Sequence, residues 1–454
     1  MIIGKYMEFD SKGCYSYSKI WAVTIPILLS MLVEHVIGMT DTAFLGRVSE
    51  VALGASALGS VYYLAFFVIG SGFSFGAQIL IARRNGERNY RRTGQICYAG
   101  GFFLTILALL LMAGVKYLSP EILPLMVKSD DVCKATIEYL DWRAYGLLFS
   151  FVAGIFRAFY VGIARTKILT YSSIAMVLSN VLLNYALIFG KYGFPKMGIA
   201  GAALASSIAE AISMLFFIFY TLKFVDLKKY GFHSFYGVFN KSILKRVFSI
   251  SFWMMLQPFL SISVWFFFFI AVERLGERPL AVVNLARALS ALAFIVIHAF
   301  ATAANSLVSN IIGEGKCDQV GRLICKVMVL SHIITVPMLA FMALFPELCL
   351  QIYTDNTSLI ADTVNVVYVM CIASGFQISA FIMFNSVSGT GAVKMTVLIE
   401  SITLFLYAVF VWLVIIRMRP TPAVAWGGEI QYQVVVLILC FWYLLSGKWK
   451  DKKL

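Results

Sequence analysis

The chain has 454 residues, 61% of them hydrophobic and only 13% charged, with a mean hydropathy of +0.86. Soluble chains run at about 45–50% apolar and about 25% charged, so soluble-enzyme, disordered, fibrous and disulfide-scaffold classes are excluded. The net charge of +14, from 37 Lys+Arg against 23 Asp+Glu, is the loop excess expected of a polytopic membrane protein; no nucleic-acid partner is implied.

Crossing about 30 Å of hydrocarbon takes about 20 mostly apolar residues. Residues 1–19 read as a cytoplasmic N-terminal segment. Six spans follow, at 20–43, 54–82, 95–117, 138–163, 169–190 and 198–222, forming an N-lobe over 20–222. A polar linker occupies 223–246. Six more spans, at 247–272, 280–311, 321–345, 363–388, 393–416 and 430–447, form a C-lobe over 247–447, and 448–454 is a tail. The fold class is therefore all-α, with 12 transmembrane helices. Counted by side, 24 Lys and Arg fall with the termini and the loops after even-numbered spans, against 10 in the other loops. This bias places both termini in the cytoplasm, in a cell (inner or plasma) membrane, with lipid as the obligatory surrounding.

An internal repeat supports the six-plus-six division. NGERNYRRTG (85–94) aligns with IGEGKCDQVG (312–321), pairing Gly86 with Gly313, Glu87 with Glu314 and Gly94 with Gly321. The same offset of 227 pairs Gly162 with Gly389 and Lys167 with Lys394. Both halves start on one side, so the repeat is parallel. Such duplication marks secondary transporters, with the binding site near the repeat interface.

Span 1 carries Pro26, Glu34, His35 and Asp41. Glu34 and Asp41 are two turns apart on one face, a rise of about 10.5 Å. A carboxylate in hydrocarbon costs at least about 2.5–3.5 kcal/mol, so this pair is a candidate ion-coupling site, expected to titrate jointly, although Glu34 also has the alternative of a structural partner. Asn180 and Asn184 lie one turn apart on span 5 and suit either coupling or interhelical hydrogen bonding. Arg287 in span 8 needs an anionic partner, for which Glu34, Asp41, a carbonyl or a headgroup are open. Arg157, Glu210 and Glu400 read as structural or snorkelling charges, and His298 as a hydrogen-bonded core residue. Gly72 and Gly76 form a GxxxG suited to close helix approach. The 8 Cys include no CxxC pair, against zinc or redox use. Among nucleotide, protease and esterase signatures, no P-loop, HExxH or GxSxG is present, and no enzyme activity or cofactor is expected.

Pro26 followed by DTAFLG (41–46), the Ala-Gln pair of GAQILIARRNGE (76–87), and the repeat copies SNIIGEG (309–315) and SGTGAVK (388–394) resemble the multidrug and toxic compound extrusion (MATE) family over essentially the full chain. The DinF-like branch is the closer resemblance, ahead of the NorM-like one. The resemblance implies two six-helix lobes in a V and export of small amphiphilic, often cationic compounds in exchange for H+ or Na+. It implies that Asp41 is the span-1 acid; Na+ would suit the same site, with Asp41 and the amide oxygens of Asn180 or Asn184 as hard oxygen ligands. It also places the NorM-like acids of spans 7 and 10 at Ser261 and Gln377, and the DinF-like Asn/acid pair at Asn180 and Asn184, where this chain has no acid. A monomer is expected. The runner-up function is a lipid-linked oligosaccharide flippase of related fold, whose cavity would need more cations than Arg287 and Arg157.

Overall fold

The computed structural model describes residues 15–127, 129–232 and 241–450. Residues 1–14, Lys128, 233–240 and 451–454 lie outside the described residues, and with them Cys14 and parts of the expected N-terminal segment, linker and tail. Twelve helices are long and apolar enough to cross a membrane, and among the described residues there is no strand.

The helices are α1 (Tyr17–Leu45), α2 (Glu50–Gly86), α3 (Tyr90–Met126), α4 (Asp130–Gly162), α5 (Lys167–Phe189), α6 (Gly198–Phe224), α7 (Lys241–Glu273) and α8 (Glu277–Gly313). Then come α9 (Val320–Leu344), the short α10 (Pro346–Gln351), α11 (Thr357–Gly389), α12 (Val393–Phe410) and α13 (Pro422–Leu445). The sequence signals α10 nowhere, because six residues carry too little periodicity to register. Helix α12 runs on into a π-helical stretch, Val411–Arg417, which completes the eleventh span. Side-chain caps begin several helices: Ser49 accepts from Ala52 N, Asn89 from Arg92 N and Asn356 from Leu359 N, each satisfying a donor that has no partner within its helix.

The chain divides into two compact units. One is Leu29–Met255; the other runs from Leu256 onward and includes the chain up to Leu28. They are called here the N-unit and C-unit. The expected lobes of 20–222 and 247–447 are bounded at span ends, and this division passes through α1 and α7. Packing explains this. Trp21 meets Phe300 edge-on, ring centres 5.8 Å apart, and Tyr15 donates to Glu314 Oε1 at 3.2 Å, so the start of α1 belongs with the C-unit. The start of α7 lies on α2: a Cβ on Gly72 would stand 2.5 Å from the carbonyl oxygen of Met254, one on Gly76 would overlap Ser251, and Ser251 Oγ donates to Phe73 O at 3.1 Å. The GxxxG is thus the α7 seat.

The 227-residue repeat reappears as packing. In the N-unit α2 lies along α4, and in the C-unit α8 lies along α11, each the most extensive helix pair of its unit. Gly162 on α4 backs onto Ile81, and Gly389 on α11 backs onto Asn305. Both glycines exist because the neighbouring helix occupies the space of a side chain. The equivalence fails at one pair: the carbonyl of Tyr230, at the linker's start, fills the side-chain position of Gly94, whereas Gly321 faces open space.

Candidate functional site

Three polar networks cross the interior of the N-unit. The first holds Asp41. Asn184 Nδ2 donates to Asp41 Oδ1 at 2.6 Å and Ser206 Oγ donates to Asp41 Oδ2 at 3.0 Å. Asn184 Nδ2 also donates to Asn180 Oδ1, and Asn180 Nδ2 to Ser206 Oγ, both at 3.0 Å. The four side chains close a ring over α1, α5 and α6. Asn180 and Asn184 are fully buried, and Asn184 Oδ1 is a buried acceptor with no hydrogen-bond donor. Every donor to Asp41 is neutral.

The second network holds Glu34, and its partner is Arg157 of α4. Arg157 NH2 lies 2.8 Å from Glu34 Oε1 and NH1 donates to Oε2 at 3.1 Å. Ser30 and Ser173 add bonds to Oε1 at 3.1 and 3.0 Å. The expected joining of Glu34 to Asp41 is replaced by two separate networks on one helix, each with its own partners. Arg157, read as structural, is the cation that Glu34 needs.

In the third, Arg143 clasps Glu210 with two bonds, NH1 to Oε2 at 2.8 Å and NH2 to Oε1 at 2.6 Å. Its guanidinium carbon lies 3.9 Å from the ring centre of Tyr63. Gly146 makes room, since a Cβ there would overlap both partners.

The remaining sequence candidates are elsewhere. His35 is exposed on α1. Gln377 and Arg287 belong to the C-unit; Arg287 is exposed, bonds Asn284 Oδ1 at 3.4 Å and stacks on Phe269. His298 sits between Phe294 and Phe381. Sequence reasoning missed Ser206, which hides in the small-residue run GIAGAALASS, and Ser30 and Ser173, whose only signal was their spacing from Glu34 and Asn180. In the C-unit it missed Glu429 and read Glu400 only as a structural or snorkelling charge. Glu400, 1% exposed, receives bonds on Oε1 from Ser261 and from Tyr432 at 2.8 Å. Glu429 receives bonds on Oε1 from Tyr407 at 3.0 Å and Trp265 at 3.1 Å. Ser261, the position where the resemblance puts an acid, is therefore bonded to an acid from another helix.

The MatE family model matches residues 26–186 and 249–413, two stretches that follow the duplication. A "Probable multidrug resistance protein NorM" of Pasteurella multocida is 25% identical over 411 residues, 89% of this chain and 86% of the relative. One from Thermotoga maritima is 23% identical over 436 residues, 95% and 92%. One from Agrobacterium fabrum is 28% identical over 233 residues, and there the chain spans about half the relative's length (50% and 49%). Among solved structures, the eukaryotic MATE transporter AtDTX14 is similar with a TM-score of 0.84 at 15% identity, covering 95% of this chain and 96% of that one. An outward-facing multidrug resistance MATE family transporter of the MOP superfamily gives a TM-score of 0.83 at 17% identity, over 96% and 97%. At these identities the structures speak for the fold, and the family model for the family. With both halves matched, the chain belongs to the MatE family of membrane transporters and is not an enzyme.

Proposed function

We propose that this transporter exports small amphiphilic organic compounds, cationic ones among them, by exchange for H+ or Na+ through alternating access, as a monomer in a cell (inner or plasma) membrane with both termini cytoplasmic. The observation that carries the reading is the Asp41 ring. A carboxyl within a span is a functional group by default, and this one is held by neutral donors, whereas Glu34 and Glu210 are each balanced by an arginine. Its charge therefore has to be balanced by something mobile. Asn184 Oδ1, buried and without a donor, is the acceptor that a proton carried on Asp41 or a sodium ion would meet. The oxygens of Asp41, Asn180, Asn184 and Ser206 are the hard ligands that such an ion takes. No cofactor is needed beyond the coupling ion. A place in the DinF-like branch is read from the Asn180/Asn184 pair on α5.

The flippase alternative needs cations free to hold a pyrophosphate. Arg143 and Arg157 are each taken up by a carboxylate, which disfavours it. The test is efflux of a fluorescent cation such as ethidium from cells and proteoliposomes, with the proton and sodium gradients collapsed one at a time. Export that stops with one gradient, and in Asp41→Asn, supports antiport at this site. Export indifferent to both gradients overturns it.

A further inference from the structure

The repeat gives each unit the same junction, and the two junctions carry opposite charge. In the N-unit α2 ends, α3 begins and the start of α7 enters there; in the C-unit α8 ends, α9 begins and the start of α1 enters. Residues 83–92 hold Arg83, Arg84, Arg88, Arg91 and Arg92 against Glu87. The offset of 227 puts Asn310, Ile311, Gly315, Asp318 and Gln319 at the five arginine places and Glu314 opposite Glu87. It also pairs Arg246 of α7 with Lys19 of α1.

The C-unit junction neutralises itself. Lys316 bonds Glu314 and Lys450 bonds Asp318, both at 2.8 Å. Tyr15 donates to Glu314 as well, and Lys19 lies over the Tyr15 ring, 3.8 Å from its centre. The N-unit junction has no such balance. Glu87 is bonded to Arg84, and Arg246 is repelled by both Arg84 and Arg92. Asp226 of the linker spends its Oδ1 on the backbone N–H groups of Lys228 and Lys229. Arg88, Arg91, Arg92, Lys245 and Arg246 are exposed, and among the described residues no ion pair holds any of them.

The depth of these cations suits a lipid headgroup. Arg92 is the third residue of α3 and Arg246 the sixth of α7, so both stand where a span leaves the hydrocarbon. Just past Arg246, α7 carries Phe248 and Phe252, 46% and 44% exposed, with ring centres 6.0 Å apart. Phe248 also meets Phe103 of α3 at 5.6 Å. Unpaired guanidinium groups above an apolar aromatic wall match the two ends of a phospholipid. The phosphate accepts from the planar N–H fork of arginine, and the acyl chains lie along the rings.

We propose that this junction of the N-unit, centred on Arg92 and Arg246, is a binding site for an anionic phospholipid, with no counterpart in the C-unit. The proposal goes beyond the antiport reading and does not need Asp41 to be correct.

The test is thermal unfolding of the purified full chain in detergent, titrated with short-chain phosphatidylglycerol, with phosphatidylcholine of the same chain length, and with glycerol phosphate. Phosphatidylglycerol is expected to raise the melting temperature saturably, and the other two to leave it in place. Arg92→Gln/Arg246→Gln should weaken the apparent affinity for phosphatidylglycerol by about thirtyfold, the fold-change that corresponds to about 1 kcal/mol for each cation near an anionic surface. Arg92→Lys/Arg246→Lys should retain most of it, which also controls for folding. Arg322→Gln/Lys448→Gln, which removes as many cations from the C-unit, should bind as the parent does. Equal stabilisation by phosphatidylcholine, or by glycerol phosphate, overturns the proposal. So does unchanged affinity in Arg92→Gln/Arg246→Gln, or the same loss in both glutamine pairs, which is the mark of diffuse attraction.

Discussion

Arg143 and Glu210 meet fork to fork across α4 and α6, with Gly146 absent of any side chain where the two groups join. Both partners are largely shielded, at 13% and 15% side-chain exposure. Removing one member of such a pair strands the other charge, at a cost of about 3–5 kcal/mol when burial is complete. Arg143→Met is expected to lower thermal stability in detergent toward that range, with much of it recovered in Arg143→Met/Glu210→Leu. Gly146→Ala should lower it by about 1–3 kcal/mol, since a methyl must displace both groups. An unchanged melting temperature in all three would show that the pair contributes nothing.

Asp41→Asn should insert and fold normally and lose gradient-driven export. The amide replaces one charged acceptor in a ring of neutral donors and preserves the shape. Ser206→Ala removes the bond to Oδ2 and leaves the Asn184 bond, so export should fall partway, by severalfold. The check is ethidium efflux at matched expression, and full coupling in Asp41→Asn would refute the role.

Glu34→Gln should leave the pH profile of export where it is. Its carboxylate is committed to Arg157 and two serines, so its loss strands a guanidinium. The expected cost is about 1.5–3 kcal/mol, at the low end because both side chains are about a third exposed, at 28% and 35%. Thermal unfolding measures this, and Glu34→Gln/Arg157→Met should recover most of it. A pH optimum that moves by about one unit would restore direct coupling between Glu34 and Asp41.

Both termini should be cytoplasmic, from the 24-to-10 division of Lys and Arg. A reporter fused after Leu454 that is active only in the cytoplasm agrees; activity only outside would refute the orientation.

The spans were legible because hydropathy over 20 residues is a strong signal, and all twelve are present. Asn180 and Asn184 were legible as a pair because one helical turn puts both on one face, and Asp41 as their companion because intramembrane polar groups seek each other; spacing along α1 instead joined Asp41 to Glu34. The partner of Glu34 was not. Spacing along α1 says which residues share its face, and nothing about which residue of α4 meets it; Arg157 is 123 positions away. Ser206 was invisible for another reason: in a run of Gly, Ala and Ser a hydroxyl that closes a ring reads the same as one that only lets helices approach. Glu429 was overlooked because it sits beside the start of the twelfth apolar run, and a charge at the edge of a run looks interfacial. The passage of α1 and α7 between units has no sequence signature at all, since both are continuous helices.

The filled side-chain position of Gly94 and the vacant one of Gly321 mean that duplication has ceased to be interchange. The segments 85–94 and 312–321 descend from one pattern, yet among the described residues the tether's Tyr230 leans on the first copy and nothing fills the matching place in the second. A methyl group added to the first would push the tether off its support, and the same group added to the second would meet nothing. The two halves are thus alike in outline and unequal in obligation: a chain assembled from two second halves would keep its spans and lack the notch against which its own connection comes to rest.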